Sequence, residues 1–160
     1  MQPGRPRGGV AGLFAMNGLH IILLVLVTQA AVTDLAWRRV PNVLVLAGVL
    51  LALLLHWRLG GAADLLQQGL GGALAGLLLF LPFYVAGGMG GGDVKLAAMA
   101  GAFLGPAAAL QLAILSWLAG GVLALGWLYW ARWRGTVAGG MPYAVAIALG
   151  TIATVALAHR

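Results

Sequence analysis

The chain has 160 residues, of which 62% are hydrophobic and 8% charged, with a net charge of +6 and no cysteine. A soluble domain carries about 25% charged residues, so lipid must cover most of this surface. The absence of cysteine excludes disulfides, thiolate metal sites and a cysteine nucleophile. The basic residues lie in short loops between apolar runs, a pattern of membrane topology rather than of nucleic-acid binding.

A spanning helix needs about 20 apolar residues, so the length fits five or six spans and no separate soluble domain. Residues 1–12 read as a flexible tail, followed by a first span over 13–32. Arg5 and Arg7 precede this apolar run as in a signal peptide, but no convincing cleavage site follows, and the segment is kept in the mature chain. TDLAWRRVPN interrupts the pattern, and a second span covers 43–55. HWRLGGAADLLQQ reads as a polar turn before a third span over 70–85. AGGMGGGD then leads into a short fourth span, 94–104, which ends at Gly105-Pro106. A fifth span covers 107–130, and the basic loop ARWRGTVAGG precedes a sixth over 142–158. In lipid each span must satisfy its own backbone groups and is therefore helical. Strand alternation, the signature of a barrel, is missing. The expectation is all-α: one polytopic, membrane-embedded domain over 1–160, a bundle of six transmembrane helices.

Gly72 and Gly76, and again Gly101 and Gly105, have the four-residue spacing that lets helices approach closely. With 26 glycines in the chain, chance pairs are expected, and these are read as weak packing signals. For orientation, the loops after spans one, three and five hold Arg38, Arg39, Lys95, Arg132 and Arg134, against Arg5, Arg7, Arg58 and Arg160 on the other side. Translation from Met16 would remove Arg5 and Arg7 and sharpen the bias, and mass spectrometry of the native N-terminus tests this start. The odd loops are then expected to be cytoplasmic.

The acid inventory is Asp34, Asp64 and Asp93. Asp34 follows the first span, where its plain reading is a helical-turn pair with Arg38. Asp64 lies in the turn after span two, where it suits an N-cap of the next helix. Asp93 closes a glycine run and opens a helix, so it too could be a cap. Span four is short, however: Asp93 to Gly105 rises roughly 20 Å, against a hydrocarbon core of about 30 Å. Asp93 is therefore expected below the membrane surface, where a carboxylate is costly and points to function. Gly87, Gly88, Gly90, Gly91 and Gly92 permit positive φ and the approach of an extended peptide. The run is not a phosphate loop, because GxxxxGK[ST] is absent. Two carboxylates in one site share a proton, so one can activate water while the other polarises a carbonyl. Two carboxylates are a thin ligand set for a metal, and none is expected. His20 and His56 read as packing or interfacial residues.

These residues carry a family resemblance. Asp34-Leu35-Ala36-Trp37-Arg38-Arg39-Val40-Pro41-Asn42 resembles the first aspartate motif of the type IV prepilin peptidases, with Val40 for the more usual Ile. Gly90-Gly91-Gly92-Asp93, followed by Val94-Lys95-Leu96, is similar to their GxGD motif. Met141-Pro142-Tyr143-Ala144 resembles the Pro-Tyr element that opens their last helix. The resemblance implies a bacterial inner-membrane enzyme, with Asp34 and Asp93 catalytic, that cuts the leader of prepilin or pseudopilin precursors at the cytoplasmic face without a cofactor. Gly90 and Gly92 would shape the approach to Asp93, and Arg38, Arg39, Pro41, Asn42 and Lys95 would shape the site or hold the leader or anionic headgroups. Larger members carry an added N-terminal region, often with paired cysteines, linked to methylation. Its absence here resembles the minimal peptidases of tight-adherence (Flp) pilus systems. Partners are then precursor peptides and the bilayer, with a homo-oligomer left open. Two rivals remain: an ion-coupled transporter or channel using Asp93, which predicts flux without cleavage, and a non-catalytic assembly subunit, which predicts that neither aspartate matters.

Overall fold

A computed structural model describes residues 10–37, 39–135 and 143–158, with side chains from Gly18 onward. The described residues form α1 (Val10–Trp37), α2 (Asn42–Asp64), a π-helical segment (Leu65–Leu70), α3 (Gly71–Val85), α4 (Gly91–Leu104), α5 (Pro106–Arg134) and α6 (Tyr143–Ala158), and contain no strand. Among the described residues three stretches are long and apolar enough to cross a membrane: Gly18–Trp37, Asn42–Val85 and Pro106–Arg134. The second has 44 residues and is bent back on itself, whereas α4 and α6 are shorter than a usual span at 14 and 16 residues.

Several boundaries differ from the sequence expectation: α1 starts at Val10 and α4 at Gly91, α5 runs on to Arg134, and two further differences bear on the site. α1 continues through Trp37, so Asp34 lies in its last turn rather than beyond it. HWRLGGAADLLQQ is not an open polar turn. The chain reverses at one residue, Gly61 (φ 73°, ψ −159°), a conformation open to glycine, with helical backbone on both sides. Ala62, Ala63, Leu65 and Leu66 are good helix formers, so the backbone keeps its own hydrogen bonds up to the bend. The returning leg lies against α2, with Gly69 seated between Leu53 and His56. Asp64 does not act as the expected N-cap. Its backbone is helical (φ −69°, ψ −41°) with no capping bond, and its Oδ2 lies 2.7 Å from His56 Nδ1.

α4 is the central element and packs against every other helix. Residues 93, 94, 96, 97 and 99–103 of its short run are all buried, so lipid touches little of it. Its closest neighbour is α3, and small residues make that approach possible. A Cβ on Gly72 would collide with the Gly101 carbonyl, one on Gly101 with the Gly72 carbonyl, and one on Gly76 with the Ala97 carbonyl. The two glycine pairs that the sequence offers as weak signals are therefore the α3–α4 contact itself. Gly105 (φ 82°) ends α4, and Pro106 starts α5 at once, with proline at a helix start where no N–H is needed. α5 runs to Arg134 and is closed by left-handed Gly135 (φ 65°). Its end carries exposed Tyr129 and Trp133, with the Arg134 guanidinium 4.4 Å over the Trp130 ring, an aromatic and basic belt of the kind found at membrane interfaces. α6 returns along α5, where Gly150 faces Ser116, and also covers α1.

Glycine is required where the two backbones meet. Gly101→Leu is expected to lower stability in detergent by about 2 kcal/mol or more, the cost of overpacking a closed contact. Gly126→Leu, at an exposed site where a Cβ meets nothing, should change it little. Thermal unfolding of both purified variants measures the difference.

Candidate active site

The buried face of α1 is the stripe Leu23, Val27, Ala30 and Asp34, at helical spacings of four, three and four. Asp34 therefore occupies a core position rather than a juxtamembrane one, and it is only 8% exposed. Asp93 reaches the same interior from the first turn of α4 and is also 8% exposed. Its Oδ2 accepts the Gly90 N–H at 3.1 Å, and its own N–H donates to the Gly90 carbonyl at 3.1 Å. The capping role is thus real, and it fixes the carboxyl group at the mouth of the helix. Asp93 lies within electrostatic reach of both Asp34 and Tyr143. Tyr143 opens α6, and its ring rests on Gly120 of α5, where a Cβ would press on the phenol. The sequence singles out Tyr143 only through the Pro-Tyr element. Met141 and Pro142 lie outside the described residues.

The two aspartate motifs also touch through their neighbours. A Cβ on Gly92 would come within 3.3 Å of Val40 Cβ. Lys95 Nζ donates to Asn42 Oδ1 at 3.1 Å. Pro41, in extended conformation (φ −63°, ψ 123°), turns the chain into α2. Arg39 is exposed, and Arg38 lies outside the described residues, so its pairing with Asp34 is not visible.

The glycine run is less irregular than its composition suggests. Only Gly87 has a positive φ, 75°. Gly90 is extended (φ −79°, ψ 152°), and Gly91 and Gly92 already belong to α4. The loop folds over the end of α3, with the Gly88 N–H donating to the Phe83 carbonyl at 2.8 Å and the Gly87 N–H to Tyr84 at 3.0 Å. Gly92 is therefore needed for its lack of a side chain beside Val40, and not for left-handed backbone.

Asp64 belongs to a different region. His56, 7% exposed, sets Nε2 3.1 Å from the Ala102 carbonyl, near the C-terminal end of α4. A carbonyl only accepts, so Nε2 carries the proton, and Nδ1 faces Asp64. His56 is thus a buried, doubly bonded residue rather than general packing. This pair lines a cavity of about 390 Å³ with His20 and Gln68. Ala102 lies nine residues along α4 from Asp93, a rise of about 14 Å. Among the described residues no three His, Cys, Asp or Glu converge into a set that could hold a metal ion.

The fold and site thus define a helical membrane protein with two buried, mutually interacting carboxyl groups near one end of its central helix. The model of the type IV leader peptidase family matches residues 21–125, which include both aspartate motifs. The chain belongs to that family, whose members are peptidases. Neither a curated protein nor a solved structure matches it.

Gly92→Val should impair activity by steric displacement of Val40, whereas Gly92→Ala needs a shift of only a few tenths of an ångström. A graded loss, Val worse than Ala at equal expression in a peptide-cleavage assay, is the expected result. An equal loss for both would indicate a backbone requirement instead.

Proposed function

We propose that this chain is a membrane aspartic endopeptidase that removes the leader from prepilins or pseudopilins at the cytoplasmic face of the bacterial inner membrane, with Asp34 and Asp93 as the catalytic pair. One observation carries the reading. Of three acids, two are buried within electrostatic reach of each other, while the third is tied to His56 toward the other end of α4. Burying a carboxyl group is costly, and burying two in one site makes them share a proton. The ionised member takes a proton from water as the water attacks the scissile carbonyl carbon. The protonated member gives its proton to the carbonyl oxygen, so the pair keeps one proton through the step. Collapse of the tetrahedral species then moves a proton to the departing amine.

The remaining motif residues serve this pair. Gly90 and Gly92 leave room beside Asp93 for an extended peptide. Pro41, Asn42 and Lys95 shape the entrance, and Arg38 and Arg39 hold the leader or anionic headgroups at the cytoplasmic surface. Six helices cross or enter the membrane, with α4 reaching only part of its depth. Methyl transfer is not part of this reading, which matches the minimal peptidases of Flp-type pilus systems.

Purified protein, incubated with candidate prepilins and read by mass spectrometry, should cut at one bond. Asp34→Asn and Asp93→Asn should each abolish cleavage with membrane insertion intact, since an amide of nearly equal volume cannot transfer the proton. Asp64→Asn should retain near-wild-type turnover, with a stability loss of about 1 kcal/mol from the weakened His56 bond. Robust turnover by either of the first two variants, or ion flux without cleavage, would overturn the proposal.

A further inference from the structure

The bond between Lys95 and Asn42 joins the two aspartate motifs from outside. Asn42 is the first residue of α2, eight positions after Asp34, and Lys95 is two positions after Asp93. A helix turns about 100° per residue, so Lys95 points away from Asp93 across the same turn. Burial agrees: Asp93 is enclosed and Lys95 exposed. The start of α2 has no side-chain cap bond, and the Asn42 carboxamide is instead committed to another helix.

The apolar surfaces do not close this part of the α2–α4 interface. A groove of about 360 Å³ opens between the helices, walled by Val45, Leu46 and Val49 of α2, Leu77 of α3 and Ala98 of α4, with Asn42 and Lys95 at its polar end. The groove lies beside the Gly48–Met99 contact and leaves the first turn of α4 without apolar packing on its outer side, where the hydrogen bond supplies the link. On the inner side Val40 abuts Gly92, where a longer side chain does not fit, and further along Met99 of α4 presses on Gly48 of α2. The first turn of α4 is thus held between a steric stop in front and a polar tie behind.

We infer that Asn42 and Lys95 are positioning residues, a latch that holds the first turn of α4, and with it Asp93, at its working distance from Asp34. The inference rests on the assignment of Asp34 and Asp93 as the catalytic pair. Neither latch residue touches the reacting atoms. Lys95 therefore acts through Asn42 rather than by gripping a substrate.

The test is a double-mutant cycle on the full-length purified protein with a prepilin substrate. Lys95→Met and Asn42→Ala should each lower kcat by about five- to tenfold, the scale of one solvent-exposed hydrogen bond, with KM little changed. The double variant should be no slower than the slower single one, because each change removes the same bond. Lys95→Arg, which keeps a donor, should recover most of the rate. Multiplicative losses, or a KM rise in Lys95→Met that Asn42→Ala does not share, would overturn the latch in favour of a substrate contact. A second readout is independent of catalysis. The chain has no cysteine, so spin labels at Leu35→Cys and Gly88→Cys, both exposed sites, report the separation of the two motifs. A broader distance distribution in Lys95→Met supports the latch, and an unchanged one overturns it. If wild-type protein cuts no prepilin, the functional reading falls while the distance measurement still decides the latch.

Discussion

Everything in this molecule depends on how closely two backbones can approach. In lipid there is no hydrophobic gain from bringing two apolar helices together, so packing and polar contacts must do it. Gly72 and Gly76 of α3 meet Ala97, Gly101 and Gly105 of α4 without intervening side chains. That contact draws the shortest apolar helix into the middle of the bundle, where every other helix can pack on it. A helix of 14 residues rises about 21 Å, less than the thickness of the hydrocarbon core. It is tolerable only when enclosed by protein, because its free ends would otherwise expose unsatisfied N–H and C=O groups to lipid. Enclosure in turn lets the start of α4 carry a carboxyl group below the surface of the bundle.

Much of this was legible in the chain before any coordinates. Helical class, the short fourth helix, the Gly105-Pro106 break and the Asp93 helix start all follow from composition and punctuation. The depth of Asp34 is legible too, although the polar letters after Val32 suggest a loop-end acid. The stripe Leu23, Val27, Ala30 continues into it at helical spacing, across that interruption. The glycine pairs look weak in the sequence for a statistical reason. In a chain this rich in glycine, spacing alone cannot tell a contact from coincidence. Facing partners on a second helix decide it, and no one-dimensional pattern shows them.

Other features needed the third dimension. The segment HWRLGGAADLLQQ reads as a polar turn because it holds His56, Arg58 and Asp64. Its polarity is partly internal: His56 and Asp64 face each other, and His56 also holds the Ala102 carbonyl. A buried polar group is costly unless satisfied, and here each group satisfies another. The glycine run misled in the opposite direction. Its composition suggests a loop of unusual backbone angles, yet Gly91 and Gly92 are helical and only Gly87 is left-handed. Gly87 uses its torsional freedom, whereas helical Gly92 owes its place to the room it leaves for Val40. The distinction depends on Val40, which is distant in sequence.

The junction at Gly105 has a mechanical consequence. α4 passes into α5 through one residue with a positive φ and no intervening loop, and its other end, at Gly90, joins the glycine run. The helix is therefore a lever pinned at its C-terminal end. Asp93 sits at the far tip, twelve residues away, on an arm of about 18 Å. A tilt of about 5° at the pin carries the tip by about 1.5 Å, more than the tolerance of a proton transfer. A tilt at that joint would be magnified at the carboxyl group, and the close backbone contact of α3 with α4 is what opposes it.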